Sequence, residues 1–448
     1  MSFLKYYNKI IEFRENHNSL LNTWANHLLV IFAFFIPVSM SGRQSTLFLI
    51  MLVFLLRGNY VDYLKEGIKD KLVQAFVIYF LIHVIWLLGT DNFEFAKKVV
   101  HEAKFLLYPL LFITLIDRKY IPRILGAFLL GMLVSELWSY GIYFQIFPPN
   151  IHDGGQGTPL SPSPVHHHSH YGFMLAITVA LLLQRLFSVN DPVWLKVVIS
   201  LFFITATMNI FINAGRTGYI LFVVLIVVLF LIAMRKRLIV VVVSALALVT
   251  VSFLLAYNLS DTFNKRLNKT MASIESMYMH DNYYSSLGIR AAVLFGSKDR
   301  ILDNWLLGVG TGDQLDEMRN SIKKNKPAHL GMANSVQHLH NEYFSAVLQF
   351  GIIGLLSFMY IMYCLIVYAQ SDRSLKTMQI VLAVAVFMFS FVDIIVHGLG
   401  VLLTLVILVS LSFNSYSVSN AIYNPMSKQQ LLLYAMLVLI IEPISWVS

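Results

Sequence analysis

The residues best suited to chemistry in this 448-residue chain are arginines and histidines placed beside glycines, at the margins of long apolar runs. Histidine exchanges a proton near neutral pH, and arginine grips phosphate-type anions through a planar fork of donors. Four groups combine these types. The first is Asn213-Ala-Gly-Arg216-Thr-Gly-Tyr219, a turn of a few residues between two strongly apolar runs. A helix that starts there adds free N–H groups and a positive dipole end to the arginine, which suits a phosphate. An interfacial arginine reaching toward lipid phosphate gives the same pattern.

The second group is Gly288-Ile-Arg290, followed after a polar gap by Asp303-Asn-Trp-Leu-Leu-Gly308-Val-Gly310-Thr-Gly312. Glycines let backbone amides approach an anion closely, and plain turns use them as well. Lys265, Arg266, Lys298 and Arg300 lie in the same stretch and read mostly as solvated charges. The third is Gln337-His338-Leu-His340-Asn341-Glu342-Tyr343-Phe344. A histidine here can take a proton from a hydroxyl, with Asn341 or Glu342 to orient it. The two histidines are two residues apart, and one of the pair is expected to serve a given site. The run continues to Gly351-Ile-Ile-Gly354, a small-residue pair that lets a neighbouring helix pack closely.

The fourth is His166-His-His-Ser-His170, preceded by the Pro- and Gly-rich segment 148–165. Four histidines invite a zinc reading, but no cysteine is near and three adjacent imidazoles reach one ion only with strain. Hydrogen bonding to a sugar, with His170 as the candidate, or closure of a substrate groove is the reading taken, with no metal. Glu136, Asp393 and His397 are ionisable groups inside apolar runs, each also explicable as a paired structural group.

The elements that position these groups must be membrane helices. Hydrophobic residues make up 57% of the chain, charged ones 13%, and the mean hydropathy is +0.69, which excludes an ordinary soluble domain. The apolar runs are continuous rather than alternating, which excludes a membrane barrel. Spans are expected at 24–40, 44–56, 73–89, 105–116, 124–147, 170–187, 194–212, 217–234, 238–257, 344–369, 377–396 and 398–413, about twelve in all. The tail 430–441 is a further span or an interfacial helix. The expected division is 1–257 with nine spans, a large loop 258–343, and 344–448 with the last three spans and tail.

With the N-terminus inside, eighteen of the 33 basic residues fall in inner segments and five in short outer loops, as the positive-inside rule requires. The large loop is then on the outer side, and holds ten basic against nine acidic residues. The net charge of +9 therefore reflects topology and anionic headgroups of membrane lipids rather than nucleic acid. Cys364 is the single cysteine, so no disulfide ties the loop within the chain.

This combination resembles the O-antigen ligase and polymerase superfamily of bacterial envelope glycosyltransferases, over most of its length. The most specific match is a histidine, an Asn, nine residues and Gly-x-x-Gly: here His340, Asn341, Gly351 and Gly354. The family's outer-turn arginine corresponds to Arg216, and its loop arginine before Gly-x-Gly-x-Gly to Arg290 with Gly308, Gly310 and Gly312.

The resemblance implies an all-α, GT-C-like polytopic protein of the bacterial inner membrane with its active site facing the periplasm. It implies transfer of a glycan from undecaprenyl pyrophosphate to a sugar hydroxyl of lipid A core, with inversion and without cofactor or metal. His340 is then the base, and Arg216, Arg290, His338, Asn341, Gly310 and His170 bind substrate. An O-antigen polymerase and a protein O-oligosaccharyltransferase share the donor. The ligase is favoured because the chain lacks the large C-terminal extramembrane extension of the protein-glycosylating branch. A non-enzymatic lipid-glycan transporter would instead need a charged path through the membrane's middle. Glycan composition, acceptor sugar and oligomeric state are not legible.

Overall fold

A computed structural model describes residues 2–151, 156–187, 191–233, 238–326 and 329–413. Among these, regular structure is helical apart from one isolated bridge between Thr158 and Ser161. The chain begins with α1 (Ser2–Val38) and α2 (Met40–Arg57), separated at Ser39, whose hydroxyl accepts from the Gly42 amide. It continues through α3 (Tyr60–Gly67), α4 (Lys71–Ile85), α5 (Phe93–Ala103), α6 (Tyr108–Ile113) and α7 (Ile121–Tyr143). Next come α8 (His168–Leu186), α9 (Val193–Ile212), α10 (Arg216–Ala233) and α11 (Leu238–Leu259). The segment expected as a loop is itself helical: α12 (Asp261–His280), α13 (Ser286–Asp303), α14 (Gln314–Asn325) and α15 (Leu330–Asn334). The last three are α16 (Glu342–Val367), α17 (Arg373–Phe389) and α18 (Leu399–Ser410).

Eight of the described helices are long and apolar enough to cross a bilayer, and the pair 243–259 with 261–280, bent by 98°, makes a possible ninth. The chain is thus a multi-pass helical membrane protein. The expected span at 105–116 is corrected: a 3-10 turn (Lys104–Leu107) leads into the six-residue α6, too short to cross hydrocarbon. Leu106, Leu111, Phe112 and Ile113 are buried, so that apolar run belongs to the protein core and not to lipid contact. The expected spans at 377–396 and 398–413 appear as the 17-residue α17 and the 12-residue α18, with a non-helical break at 390–398. The tail 430–441 and the basic run Arg235-Lys236-Arg237 lie outside the described residues.

The helix α8 is the bundle's axis. Within its apolar window 78% is enclosed, against 33% for α2 and α7, and its run from Tyr171 to Leu183 is buried throughout. It approaches α10 through glycine on glycine: a Cβ on Gly172 would lie 3.1 Å from the Gly218 amide nitrogen. Small residues permit that distance where no hydrophobic drive exists between helices in lipid. Large apolar side chains such as Phe48, Ile85, Leu201 and Leu254 remain exposed, as a lipid-facing surface requires.

Candidate active site

The N-terminal ends of α8, α10 and α16 meet the C-terminal end of α17 at one end of the bundle. Helix N-termini carry unsatisfied N–H groups and partial positive charge, so this end favours an anion before any side chain is counted. The turn before α10 is fastened to the start of α8: the Asn213 amide donates to the His168 carbonyl at 3.1 Å, and Tyr219 donates to the Asn213 carbonyl at 2.8 Å. A Cβ at Gly215 would sit 2.5 Å from the His168 carbonyl oxygen, so glycine is required for this approach. Arg216, the first residue of α10, is left partly exposed and donates to Thr270 Oγ1 at 3.0 Å.

Asn341 caps α16, its side chain accepting from the Phe344 amide at 3.0 Å while its Nδ2 donates to the Phe391 carbonyl at 3.3 Å. The next residue, Glu342, donates its amide to the Ser390 carbonyl and accepts at Oε2 from the Ile395 amide at 2.8 Å; Tyr79 donates to Oε1. Glu342 is therefore a structural anchor that ties α16 to the break after α17. Directly before this anchor, His340 adopts φ +52°, a left-handed conformation that a non-glycine residue rarely takes. Such strain costs about 1–3 kcal/mol and persists only where the surroundings impose it, as they do here through Asn341 and Glu342.

Asp393, in the break between α17 and α18, is the hub of the site. Its carboxylate is almost fully buried and accepts a hydrogen bond from His338 Nε2 at 3.0 Å. His340 Nδ1 faces Oδ1, and His170 Nε2 faces Oδ2, each at 3.6 Å. Both distances allow electrostatic attraction and fall just outside hydrogen bonding, as catalytic contacts often do without substrate. Burial pushes the His338 imidazole below its ordinary value, opposed by the hydrogen bond to Asp393. Both histidines of the pair therefore attend one carboxylate, their rings 4.0 Å apart, against the expectation that only one would face the site.

Arg290 reaches the same break from α13, donating from Nε to the Val392 carbonyl at 3.1 Å and from NH1 to the Ser286 carbonyl at 3.1 Å, within electrostatic range of Asp393. Arg216 lies within electrostatic range of Arg290 and of Arg266. Among the described residues, none of the three arginines is in a salt bridge. Three guanidiniums without a salt bridge among the described residues, beside three helix N-termini, make this end of the bundle attract anions.

The structure thus brings His170, Arg290, His338, His340 and Asn341 to one break in the chain, with Arg216 beside them. It gives Gly310 a different setting. The Gly310 amide donates to the Gln349 carbonyl at 3.0 Å and the Val309 amide to the Leu348 carbonyl at 2.9 Å, so the turn is bonded to α16. There α16 breaks at Gly351, φ +64°, whose Cβ would lie 2.1 Å from the Leu306 carbonyl oxygen. Gly308 and Gly351 serve mutual backbone contact, Gly310 packs against Gly89 and Thr90 and Gly312 against Ala96, and the Gly310 amide is already committed. Three of the four histidines of 166–170 take different partners: His166 Nε2 meets the Ile36 carbonyl at 2.8 Å, His168 Nδ1 meets Gln156 Oε1 at 3.0 Å, and His170 faces Asp393, while the His167 ring lies 4.0 Å from that of His168 and 5.7 Å from that of His170.

Of donor sets that could hold a metal, His338, His340 and Asp393 offer ligand atoms within 4.8 Å of one another. Two imidazoles and a carboxylate suit zinc in kind, while the adjacent Arg290 already supplies positive charge there. Sequence reasoning undervalued two members. Asp393 was one ionisable group among three in apolar runs; the distinguishing signal is its place between two short apolar stretches, where the helix must break. Arg266 read as a solvated charge, and nothing local separates it from Lys265. His397 pairs with Glu102, whereas the Glu136 carboxylate lies buried without a hydrogen-bond partner among the described residues.

The class defined by this fold and site is a multi-pass membrane protein with an anion-attracting histidine–carboxylate centre at one end of its bundle. Residues 201–359 match the family described as O-Antigen ligase. The matched region contains Arg216, Arg290, His338, His340 and the Gly351–Gly354 pair; His170 and Asp393 come from outside it. The family carries glycosyltransferase activity of the O-antigen ligase or polymerase type. No curated protein matches the chain.

Proposed function

We propose that this protein is an O-antigen ligase, moving a glycan from undecaprenyl pyrophosphate to a sugar hydroxyl of lipid A core at the periplasmic face of the inner membrane. The observation that carries this reading is the convergence of His340, Arg290 and Asp393 on one break in the chain, beside Arg216. In the proposed step the acceptor hydroxyl oxygen attacks the anomeric carbon of the donor, and the bond from that carbon to the pyrophosphate oxygen breaks. His340 takes the hydroxyl proton as the new bond forms, and the lipid pyrophosphate leaves with the bonding electrons.

Negative charge grows on the leaving pyrophosphate, so Arg216, Arg290 and Arg266 stabilise the transition state more than the ground state. Asp393 holds the imidazoles of His338 and His340 and stabilises positive charge on the base. A single displacement inverts the anomeric centre and needs no carboxylate pair of the glycosidase kind. In this reading helices α12 to α15 form the periplasmic segment, and Asn341 and His170 line the acceptor side.

The test is transfer by purified protein in lipid nanodiscs. Undecaprenyl-pyrophosphate glycan supplied with lipid A core should give the joined product. If the same protein joins two lipid-linked glycans and leaves lipid A core unmodified, it is a polymerase and the ligase reading falls.

A further inference from the structure

A concavity lies away from the histidine–carboxylate centre, between α13 and α14. It encloses about 230 Å³. Its floor is apolar, where Ala292, Gly296 and Ile322 meet; a Cβ on Gly296 would lie 2.6 Å from the Ile322 side chain, so glycine deepens the floor. Its walls are aromatic and polar. Tyr283 and Phe295 stand edge to face, ring centres 6.1 Å apart, with Phe295 48% exposed. At one side the Asn325 amide donates to Asp299 Oδ2 at 2.9 Å, leaving the remaining lone pairs and amide hydrogen free to meet hydroxyls. Lys326 extends its ammonium over both rings, 5.9 Å from the Tyr283 centre and 5.2 Å from that of Phe295. Among the described residues it pairs with no carboxylate. Lys323 and Lys324 precede it in the last turn of α14.

Apolar floor, aromatic walls and a few convergent polar groups are what a small-molecule site is built from. The volume is below the roughly 300–1,000 Å³ of sites for drug-sized ligands, so the cavity has room for a single ring. A pyranose matches the lining: its C–H face packs on an aromatic ring, its vicinal hydroxyls pair with a carboxylate–amide couple, and a phosphate or carboxylate substituent meets an unpaired ammonium.

Position supports a role beside transfer and not within it. Arg290, Ala292, Phe295, Gly296 and Asp299 all belong to α13. At 100° per residue the four cavity residues centre on the face opposite Arg290, and Gly296 lies about 9 Å farther along the axis at 1.5 Å per residue. One helix thus presents Arg290 to the anion-attracting centre and the cavity to the other side.

We infer that the cavity between α13 and α14 is a binding subsite for one pyranose ring, bearing an anionic substituent, of a glycan that the protein handles. The inference rests on the glycosyl-transfer reading for its choice of ligand. Binding energy gathered at a ring that does not react holds the reacting ring in place.

Isothermal titration of the full chain in nanodiscs tests this, using deacylated lipid A core oligosaccharide, the same oligosaccharide after phosphatase treatment, and the delipidated donor glycan. Tyr283→Ala should weaken binding of the preferred probe at least tenfold, while Tyr283→Phe, which keeps the ring, should stay within about threefold of the parent. Lys326→Gln should weaken the phosphorylated probe and leave its dephosphorylated form unchanged. Whichever of core and donor glycan loses affinity in Tyr283→Ala is the source of the ring. If Tyr283→Ala and Lys326→Gln bind all three probes as the parent does, the subsite is overturned. If these dependences hold while no transfer occurs, the subsite stands and the ligase reading is the part that fails.

Discussion

The histidine–carboxylate centre and the glycine-rich turn at 308–312 carry sequence patterns of equal prominence, yet they spend their polar groups in opposite ways. At the centre, His340 Nδ1 is buried without a hydrogen bond, Arg216 and Arg290 are free of salt bridges among the described residues, and three helix N-termini face the same space. At the turn, the Val309 and Gly310 amides donate to carbonyls of α16, the Gly308 amide to the Asn304 carbonyl and the Thr311 amide to the Trp86 carbonyl, so these amides are already bonded. A constellation with unused hydrogen-bonding capacity is available to a substrate, whereas one with saturated capacity is architecture. The two are connected, because the turn braces the break in α16 at Gly351, and α16 begins at the residue after Asn341, its cap.

The sharpest test of this contrast removes the base. His340→Ala should lower kcat for transfer by about 10²–10⁴-fold, the usual worth of a positioned general base, with heat stability little changed, because alanine keeps a Cβ on the same left-handed backbone. A loss that appears only as a raised KM would mean that His340 binds substrate and takes no proton.

Arg290→Ala should reduce kcat/KM for the lipid-linked donor by about 10²-fold, in line with loss of one donor to a developing oxyanion. Arg290→Lys should recover little of this, since the fork that spans Val392 and Ser286 cannot be reproduced by an ammonium. Full rescue by lysine would show that charge alone matters.

On the architectural side, Gly351→Ala should destabilise the fold by about 2 kcal/mol or more, read as a fall in melting temperature, because the new Cβ meets Leu306 at a positive φ. Gly310→Ala should behave alike, with the donor KM unchanged. A raised donor KM at unchanged stability would return the turn to the binding site.

The smallest effect is expected at Arg266→Ala, a partly exposed charge at the margin of the site. The donor KM should rise about fivefold, near 1 kcal/mol, and the difference should shrink in high salt. No dependence on salt would remove Arg266 from the anion-attracting group.

Much of the molecule was legible from order along the chain. Continuous apolar runs near bilayer length, together with charged margins, fix a polytopic helical protein, because a backbone in hydrocarbon must satisfy its own hydrogen bonds. The positions of Arg216 and His340 at the ends of such runs followed from the same cost of charge in lipid, whereas Arg290 was marked by the glycine pattern after it in the large loop. Hydropathy could not separate a span from a buried core segment at 105–116, since protein interior and lipid are similarly apolar; only packing around Leu106 and Phe112 decided it. Nor could it reveal that Asp393, more than fifty residues after His338 and outside the matched family region, gathers both loop histidines and His170. Local sequence sets what each segment can offer, but which groups remain unpaired depends on what the rest of the chain brings beside them.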